Sequence, residues 1–326
     1  MPRPNPHRPF VPDPAQAALA PAVSGNAVNG LGETEFRRPD IVYWSPDPDA
    51  IPHGALQRWF YGVAPDDPHL AAARAERARL AEVEPTPLSP VRIARDPAAW
   101  TAALARFVDE GVCDKTGVAA MNPDWAYAGV TVSQSRIVVV GVAHDYDAIA
   151  TAPAPPAGAE VVRQYGRAMR AAKVIANWLR GEGWEAEAVT GPMSGTVLLI
   201  PPALACGFGE LGKHGSAILP EFGASFRLAA VLTDAPFAPT PPVDHGIDAF
   251  CLNCRVCEDA CPPEAIAPHK QTVRGETKWY VDFDRCLPYF NEHHGCGICI
   301  AVCPWSRPGV GPSLAEKLAR RAGRAG

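Results

Sequence analysis

The clearest apolar patterns lie in the middle of the chain. An apolar run over Arg136–Ala143, polar only at its first residue, has the length of a buried strand. Over 159–180, apolar side chains recur at intervals of three and four residues, which is the spacing of one helix face. Gly181 and Gly183 follow and predict the end of that helix. We therefore expect a buried strand followed by a long helix with one face against a core.

The segment after this helix continues the alternation of element types. The sequence predicts strands at 184–190 and 196–200, and then a short helix that begins at Pro201. Such an alternation is typical of an α/β core.

The N-terminal third carries weaker patterns. Residues 1–35 hold seven prolines and no sustained period, which predicts a flexible arm, with a packed extension as the alternative. Residues 36–110 begin with a segment rich in aromatic side chains and then predict two helices, at 68–83 and at 96–111. We interpret 36–110 as a segment that covers the core.

Composition and charge narrow the class of protein. The 326 residues are 47% apolar and 20% charged, as expected of a packed globular chain. The 30 basic and 35 acidic side chains give a net charge of −5, which does not favour binding to nucleic acid or to an anionic membrane. The apolar runs are far shorter than the ~20 residues of a membrane span, and no apolar leader begins the chain. We expect a soluble, cytoplasmic protein with reduced cysteines.

Eight of the ten cysteines fall within the last quarter of the chain. The first four of them form the run C-x2-C-x2-C-x3-C-P, in which three thiolates on one loop hold a 4Fe-4S cluster and the fourth reaches a second cluster. The last three repeat the second half of that run, and one displaced cysteine precedes them. The eight are Cys251, Cys254, Cys257, Cys261, Cys286, Cys296, Cys299 and Cys303.

The ferredoxin crossover divides these eight thiols into two sets. The first predicted cluster takes Cys251, Cys254, Cys257 and Cys303, and the second takes Cys261, Cys286, Cys296 and Cys299. A zinc site is the alternative, but zinc sites use pairs of C-x2-C separated by a finger and have no need for two C-x3-C-P runs. The sequence therefore predicts two 4Fe-4S clusters and an electron acceptor among the residues that precede them.

A glycine-rich loop over 206–215 is the candidate for binding a large ligand. It holds four glycines, and glycine lets the backbone approach a ligand closely. It matches neither the G-x-G-x-x-G pattern nor the P-loop, and a tight turn without a ligand is the alternative. No D-x-H-x-x-G element, which would offer a histidine to a corrinoid, is present in the sequence. The candidate contacts are Cys206, Gly207, Gly209, Gly212, Lys213, His214 and Gly215.

Three further groups have both a functional and a structural interpretation. Residues 144–147 follow the first strand, at a position where α/β proteins place ligand groups. A solvated loop without a ligand is the alternative. Five aromatic side chains suit either the wall of an apolar pocket or the core, namely Trp44, Trp59, Trp100, Trp125 and Tyr127. The run 313–324 predicts a short basic helix, which is either a solvated tail or a docking element.

Five segments, in order, resemble the cobalamin-dependent reductive dehalogenases. They are GFGELGKHGSAILPEFGASFR at 207–227, VLTDAPF at 231–237, DHGIDAFC ending at Cys251, KWYVDFDRC ending at Cys286 and CGICIAVCPW ending at Trp305. The resemblance runs over 111–305. Epoxyqueuosine reductase, a related tRNA-modifying enzyme, shares the general plan, but its signatures are less well matched here.

The resemblance implies a fold and a cofactor set. The implied fold is α/β (α+β), with a nitroreductase-like core at 111–250 that binds cobalamin base-off. A ferredoxin-like domain with two 4Fe-4S clusters at 251–310 and a basic C-terminal tail at 311–326 would follow. The glycine-rich loop would then contact the corrinoid.

The resemblance also implies a proton donor, Tyr165, and a basic partner, Arg227. A guanidinium beside a phenol favours the phenolate and so eases release of the proton. Burial on the apolar helix face is the alternative reason for a tyrosine at 165. Where family members carry an asparagine or a lysine shortly after the next strand, this chain has Gly191, so a third polar partner is missing.

These features predict a reductive dehalogenase of a small organohalide, aromatic or alkenyl, that takes electrons from a donor such as a ferredoxin or a flavodoxin. The absence of an export signal favours a cytoplasmic member with no membrane partner. A tRNA-directed reductase similar to epoxyqueuosine reductase is one alternative, which the negative net charge disfavours. An electron-transfer protein without catalysis is the other.

Overall fold

The computed structural model describes residues 5–325. The first four residues of the predicted arm and residue 326 of the predicted tail lie outside the described residues. The strands are β1 (Lys115–Ala120), β2 (Arg136–Ala143), β3 (Ala186–Val189), β4 (Glu210–Leu211), β5 (Ala217–Ile218), β6 (Phe226–Thr233), β7 (Gln271–Val273) and β8 (Glu276–Lys278).

The helices range from single turns to a long central helix, α8. They are α1 (Pro14–Ala17), α2 (Gly25–Val28), α3 (Gly54–Gly62), α4 (Pro68–Ala81), α5 (Pro97–Ala102), α6 (Ala105–Asp109), α7 (Tyr146–Ile149), α8 (Pro155–Gly181), α9 (Ile200–Ala205), α10 (Ile247–Asn253), α11 (Val256–Ala260), α12 (Phe283–Glu292), α13 (Ile298–Ala301) and α14 (Val310–Ala325). Single 3-10 turns lie at Pro48–Ala50, Pro123–Trp125, Pro192–Ser194 and Pro304–Ser306.

A four-stranded sheet in the order β1-β2-β6-β3 forms the centre of the fold, and its paired strands are antiparallel. Helix α8 packs across one face, where Val138 and Val140 of β2 join Ile175 in a buried cluster. On the other face, Ile137 and Val139 pack in a second cluster. Burial of both faces explains the unbroken apolar run of β2, because neither set of alternating side chains meets water. The fold is therefore of the mixed helix and sheet type that the sequence predicts.

Several predicted elements differ in extent. The long helix begins at Pro155, and the predicted helix over 96–111 is two short helices, α5 and α6. The strand predicted at 184–190 shortens to β3. Residues 196–200 contribute a single bridge, between Val197 and Ala126, rather than a strand. Val197 is buried in the core on the sheet's second face, so its apolar run reflects burial and not strand pairing.

The N-terminal segment is packed over its described part, as in the alternative raised from the sequence. Arg8 donates from Nε and Nη2 to the carbonyl oxygen of Cys261, at 3.0 and 2.6 Å. Gln16 is 1% exposed and accepts from Nδ2 of Asn291 at 2.9 Å. Further along, the backbone N–H of Gly25 donates to Asp284 at 2.7 Å. These bonds satisfy polar groups that a loose arm would leave to water, so the segment is fixed against the cysteine-rich part of the chain.

The covering segment and the C-terminal helix enclose that cysteine-rich part from two sides. Tyr43 and Leu56 pack against Leu287 of α12. On the other side, Leu314 and Leu318 of α14 pack against a cluster of buried residues that includes two of the cysteines, Cys251 and Cys303. None of the helices within residues 5–325 combines the length and the apolar character needed to cross a bilayer.

Candidate redox and active site

The structure places the eight clustered cysteines around two separate voids. Cys251, Cys254, Cys257 and Cys303 line a small void together with Lys213 and His214. Cys251 lies in α10, Cys254 directly follows that helix, Cys257 lies in the first turn of α11, and Cys303 follows α13. The polypeptide thus returns from a distant segment to complete the first set.

The second set of thiols lines a large cavity. Cys261, Cys286, Cys296 and Cys299 form one end of a cavity of about 390 Å³. Its other walls come from the covering segment, from α8 and from the central sheet, and they are largely apolar. A group held by the second set would therefore face an enclosed space large enough for a ligand.

Burial raises the pKa of seven of these eight thiols. It raises the pKa of Cys257, Cys286 and Cys303 to about 12. All ten cysteines of the chain are free thiols. Because ligation requires thiolates, binding of iron at these sites would release protons.

The geometry of the two sets differs from that of a single-ion site. Within residues 5–325, no three His, Cys, Asp or Glu side chains converge closely enough to hold one metal ion. The thiols instead surround voids, and this arrangement suits a group larger than one ion, with a thiolate at each corner.

Tyr165 and Arg227 lie together on the wall of the large cavity. Tyr165 projects from α8, and Arg227 is the second residue of β6, where it pairs with Val142 of β2. The guanidinium carbon of Arg227 lies 5.1 Å from the centroid of the Tyr165 ring, which is a cation–π contact. Both side chains also line a smaller adjoining cavity of about 190 Å³.

Arg227 has one buried hydrogen-bond donor without a partner. Its Nη1 donates to the carbonyl oxygen of Phe226 at 3.2 Å, whereas its Nε is buried without a hydrogen-bond partner. His144 lies nearby, and burial together with the charge of Arg227 holds its pKa well below the usual value. A neutral His144 avoids repulsion and leaves the guanidinium as the local positive charge.

The position at which the resemblance implies a polar partner has a backbone conformation that requires glycine. Gly191 has φ +123° and ψ −165°, a conformation essentially restricted to glycine. A Cβ built at this position would lie 3.6 Å from Cδ1 of Tyr165. The loop after β3 therefore packs its main chain beside the tyrosine ring, in place of a polar side chain.

The four glycines of the loop over 206–215 lie against other parts of the protein. A Cβ at Gly209 would overlap the carbonyl oxygen of Ile218, and one at Gly212 would overlap the Ile218 side chain. Gly207 and Gly215 have positive φ, and the nearest groups to them are Pro241 and Val281. These glycines thus permit close packing of protein against protein.

Three other residues of this loop have different surroundings. Cys206 is buried in the core on the sheet's second face, and Lys213 is directed to the void of the first thiol set. His214 lines both that void and the large cavity. Its Nδ1 accepts from the backbone N–H of Ser216 at 3.3 Å, which places the proton on Nε2, and Nε2 is buried without a partner. Burial lowers the pKa of His214 to about 4, so the ring is neutral.

Sequence reasoning missed several residues that line the large cavity. Phe60 and Tyr61 come from the aromatic segment interpreted as a cover, whereas Trp44 of the same segment is one of the predicted pocket-wall aromatics. Tyr61 contacts Met193, with 3.4 Å between its hydroxyl and Sδ, and burial raises its pKa. The density of aromatic side chains was the available signal, because such residues line ligand pockets as often as they line cores. Tyr127 lines two neighbouring cavities, and Trp125 packs against the core.

The chain resembles known proteins in two ways. Residues 250–306 match the family described as the 4Fe-4S dicluster domain. Tetrachloroethene reductive dehalogenase of Desulfitobacterium hafniense is 34% identical over 218 residues, which are 63% of this chain and 39% of that protein. The enzyme of the same name from Sulfurospirillum multivorans is 31% identical over 184 residues, or 54% and 36% of the two chains.

Solved structures give the same result for the fold. A reductive dehalogenase whose structure suggested a mechanism for B12-dependent dehalogenation is 25% identical with a TM-score of 0.65, covering 74% of this chain and 38% of that one. A catabolic reductive dehalogenase is 22% identical with a TM-score of 0.74, covering 94% and 47%. This chain spans less than half the length of these relatives. Over the region that they share, the chain is similar in sequence and in fold to reductive dehalogenases.

Proposed function

We propose that this chain is a corrinoid- and iron–sulfur-dependent oxidoreductase that replaces the halogen of a small aromatic or alkenyl organohalide by hydrogen. One observation carries the proposal. The thiols Cys261, Cys286, Cys296 and Cys299 and the pair Tyr165 and Arg227 line the same cavity, so a source of electrons and a source of protons meet there. The named activity of the relatives supplies the class of reaction.

The residues present fit the proposed cofactors. Two sets of four thiols around two voids match the ligand requirement of two 4Fe-4S clusters. The large cavity adjoins two others, of about 340 and 190 Å³, with which it shares lining residues. Its apolar walls suit a planar macrocycle, and the buried, unpartnered Arg227 Nε and Tyr289 hydroxyl offer donors for polar substituents. When bound, a corrinoid would supply a metal centre able to reduce a carbon–halogen bond.

The chain's own residues would manage substrate and proton. The net reaction consumes two electrons and one proton, breaks the carbon–halogen bond, forms a carbon–hydrogen bond and releases halide. Trp44, Phe60 and Tyr61 would hold an apolar substrate and exclude water. Tyr165 would donate the proton from its hydroxyl, and Arg227, over the ring face, would stabilise the phenolate that results.

The positions of the two thiol sets indicate the direction of electron flow. Cys254 of the first set has the exposed neighbours Leu252 and Arg255. By contrast, Cys286 and Cys299 of the second set line the large cavity that also holds Tyr165 and Arg227. Electrons would therefore enter at the first set and leave from the second.

The C-terminal helix offers a docking site for the electron donor. Lys317, Arg320 and Arg321 recur at helical spacing on exposed positions of α14. Leu314 and Leu318 of α14 pack in the same cluster as Cys251 and Cys303, so this helix places its exposed basic side chains on the surface beside the first set. An acidic donor such as a ferredoxin or a flavodoxin would be attracted to this face.

The proposal is tested by anaerobic purification of the full chain with cobalamin supplied. We expect about eight iron and eight sulfide per chain, one cobalt per chain and a base-off cobalt(II) signal in electron paramagnetic resonance (EPR) spectra. Reduced protein should then release halide from tetrachloroethene or from a bromophenol. Clusters without cobalt would contradict the proposal and support an electron-transfer protein. Salt-sensitive binding to tRNA without halide release would instead support a tRNA-directed reductase.

A further inference from the structure

Lys213 is a buried lysine beside the first set of thiols. Its side chain is 2% exposed, and it lines the same void as Cys251, Cys254, Cys257 and Cys303. A lysine is rarely buried to this extent without a specific partner, because removing its charge from water is costly.

The partners of Lys213 compensate its charge only in part. Its Nζ lies 3.4 Å from Oε2 of Glu258 and 5.3 Å from the centroid of the Trp279 ring. Glu258 is shared, since Oε1 of the same carboxylate lies 3.2 Å from Nη2 of the exposed Arg255. The long ion pair and the shared carboxylate leave a net positive field toward the thiols.

We propose that the ammonium of Lys213 raises the reduction potential of the cluster held by Cys251, Cys254, Cys257 and Cys303, and that Glu258 limits the size of this effect. The inference rests on the two-cluster arrangement proposed above. Reduction adds one electron and breaks no bond, so the cluster with its four thiolates becomes more negative by one charge. A buried positive charge nearby stabilises that reduced state more than the oxidised one.

Among the described residues, no lysine lines the cavity of the second set, and the arginines that do so, Arg77 and Arg227, share with that set a cavity of about 390 Å³ and not a small void. Arg8 donates a hydrogen bond directly to the second set, at the backbone carbonyl oxygen of Cys261, but its side chain is 29% exposed. Water screens an exposed charge far more than a buried one. Lys213 therefore distinguishes the two clusters and favours capture of the electron at the exposed end of the path.

The test is a mediated redox titration of the full, cluster-loaded chain, followed by EPR. For Lys213→Met, the ratio of reduced to oxidised cluster at a fixed potential should fall at least tenfold for one of the two clusters, a shift of about 59 mV for one electron. Lys213→Arg keeps the positive charge, so its reduction potentials should stay close to those of the parent. Glu258→Gln removes the opposing negative charge and should shift the reduction potential of the same cluster in the opposite direction.

The matched control is Lys270→Met. Lys270 approaches the same ring, with Nζ 5.7 Å from the Trp279 centroid, but it is 30% exposed and pairs with Asp248. We expect this variant to shift the potential by less than half as much as Lys213→Met. Equal shifts for the two variants, or a shift of Glu258→Gln in the same direction as Lys213→Met, would overturn the inference.

Two further outcomes are distinguishable. If Lys213→Met does not retain the first cluster, the reduction potential of the Glu258→Gln variant becomes the test. An unchanged potential in that variant counts against the inference. If the parent chain itself binds no iron and sulfide, the proposed function fails, and the metal content of the parent shows this before any titration.

Discussion

Arg227 and Tyr165 come from different layers of the fold, yet the guanidinium carbon of one lies 5.1 Å from the ring centroid of the other. The arginine belongs to the central sheet and the tyrosine to the helix that packs across it. Their contact places a positive charge against a phenol at the wall of a cavity that also holds four thiols.

Replacement of Tyr165 by phenylalanine tests the proton donor. We expect halide release to fall by roughly 10²- to 10⁴-fold, the usual contribution of a positioned acid. Cobalt, iron and sulfide contents should remain those of the parent, because only the hydroxyl is lost. Tyr61→Phe is the comparison, since Tyr61 lines the same cavity. A larger loss for Tyr61→Phe than for Tyr165→Phe would transfer the role to Tyr61.

Single cysteine replacements test the two thiol sets. Cys303→Ala and Cys286→Ala should each lower the iron content from about eight to about four per chain, because each removes a ligand from a different cluster. Cys206→Ala is the control, since Cys206 lies in the sheet core, and it should retain the full iron content. Iron and sulfide analysis of anaerobic protein gives the result. Retention of eight iron in Cys303→Ala would contradict the assignment of this residue.

Gly191→Ala tests the close approach of the loop to Tyr165. At φ +123°, an alanine is strained, and we expect a loss of about 1–3 kcal/mol in the free energy of unfolding. Relief of this strain by a shift of the loop would move the main chain away from the tyrosine ring, so halide release should fall as well. Urea denaturation and a halide assay on the same preparation measure both effects. An alanine variant as stable as the parent would refute the strained geometry.

Charge reversal on α14 tests the docking face. Lys317→Glu together with Arg321→Glu should slow cluster reduction by reduced ferredoxin roughly tenfold at low salt, and the difference should shrink as salt is added. Reduction by dithionite should not change, because it needs no docking. Stopped-flow absorbance follows both reactions. As a control matched in charge, Lys317→Glu alone is compared with Arg79→Glu, on the exposed surface of α4, because each changes the net charge by the same amount. An equal effect of the control would point to net charge and not to this face.

His144→Asn tests the buried neutral imidazole. Burial and Arg227 depress the folded-state pKa of His144, so as pH falls the unfolded chain takes up a proton that the folded chain does not. The free energy of unfolding should therefore be highest above about pH 6.5 and fall at lower pH, by up to ~1.4 kcal/mol per pH unit for one proton. Asparagine cannot take up that proton, so its loss between pH 6.5 and 5 should be smaller. Denaturation curves at both pH values measure the slopes, and identical slopes would exclude a contribution from His144.

The sequence by itself determined the elements whose signal is local. The apolar run of β2 and the helical spacing of α8 follow from side-chain periodicity, and the spacing of the cysteines carries the chemistry of cluster ligation. The resemblance to a family then supplied a pairing of Tyr165 with Arg227.

Only the tertiary structure decided how distant segments meet. Local pattern does not distinguish a glycine that faces a ligand from one that faces protein, and the loop glycines face Ile218, Pro241 and Val281. Nor does it show that Lys213 is directed to the first thiol set, or that the proline-rich segment is bonded to Cys261. These relationships depend on which surfaces pack together. Packing between two segments that are far apart in the chain produces no periodic residue pattern within either segment.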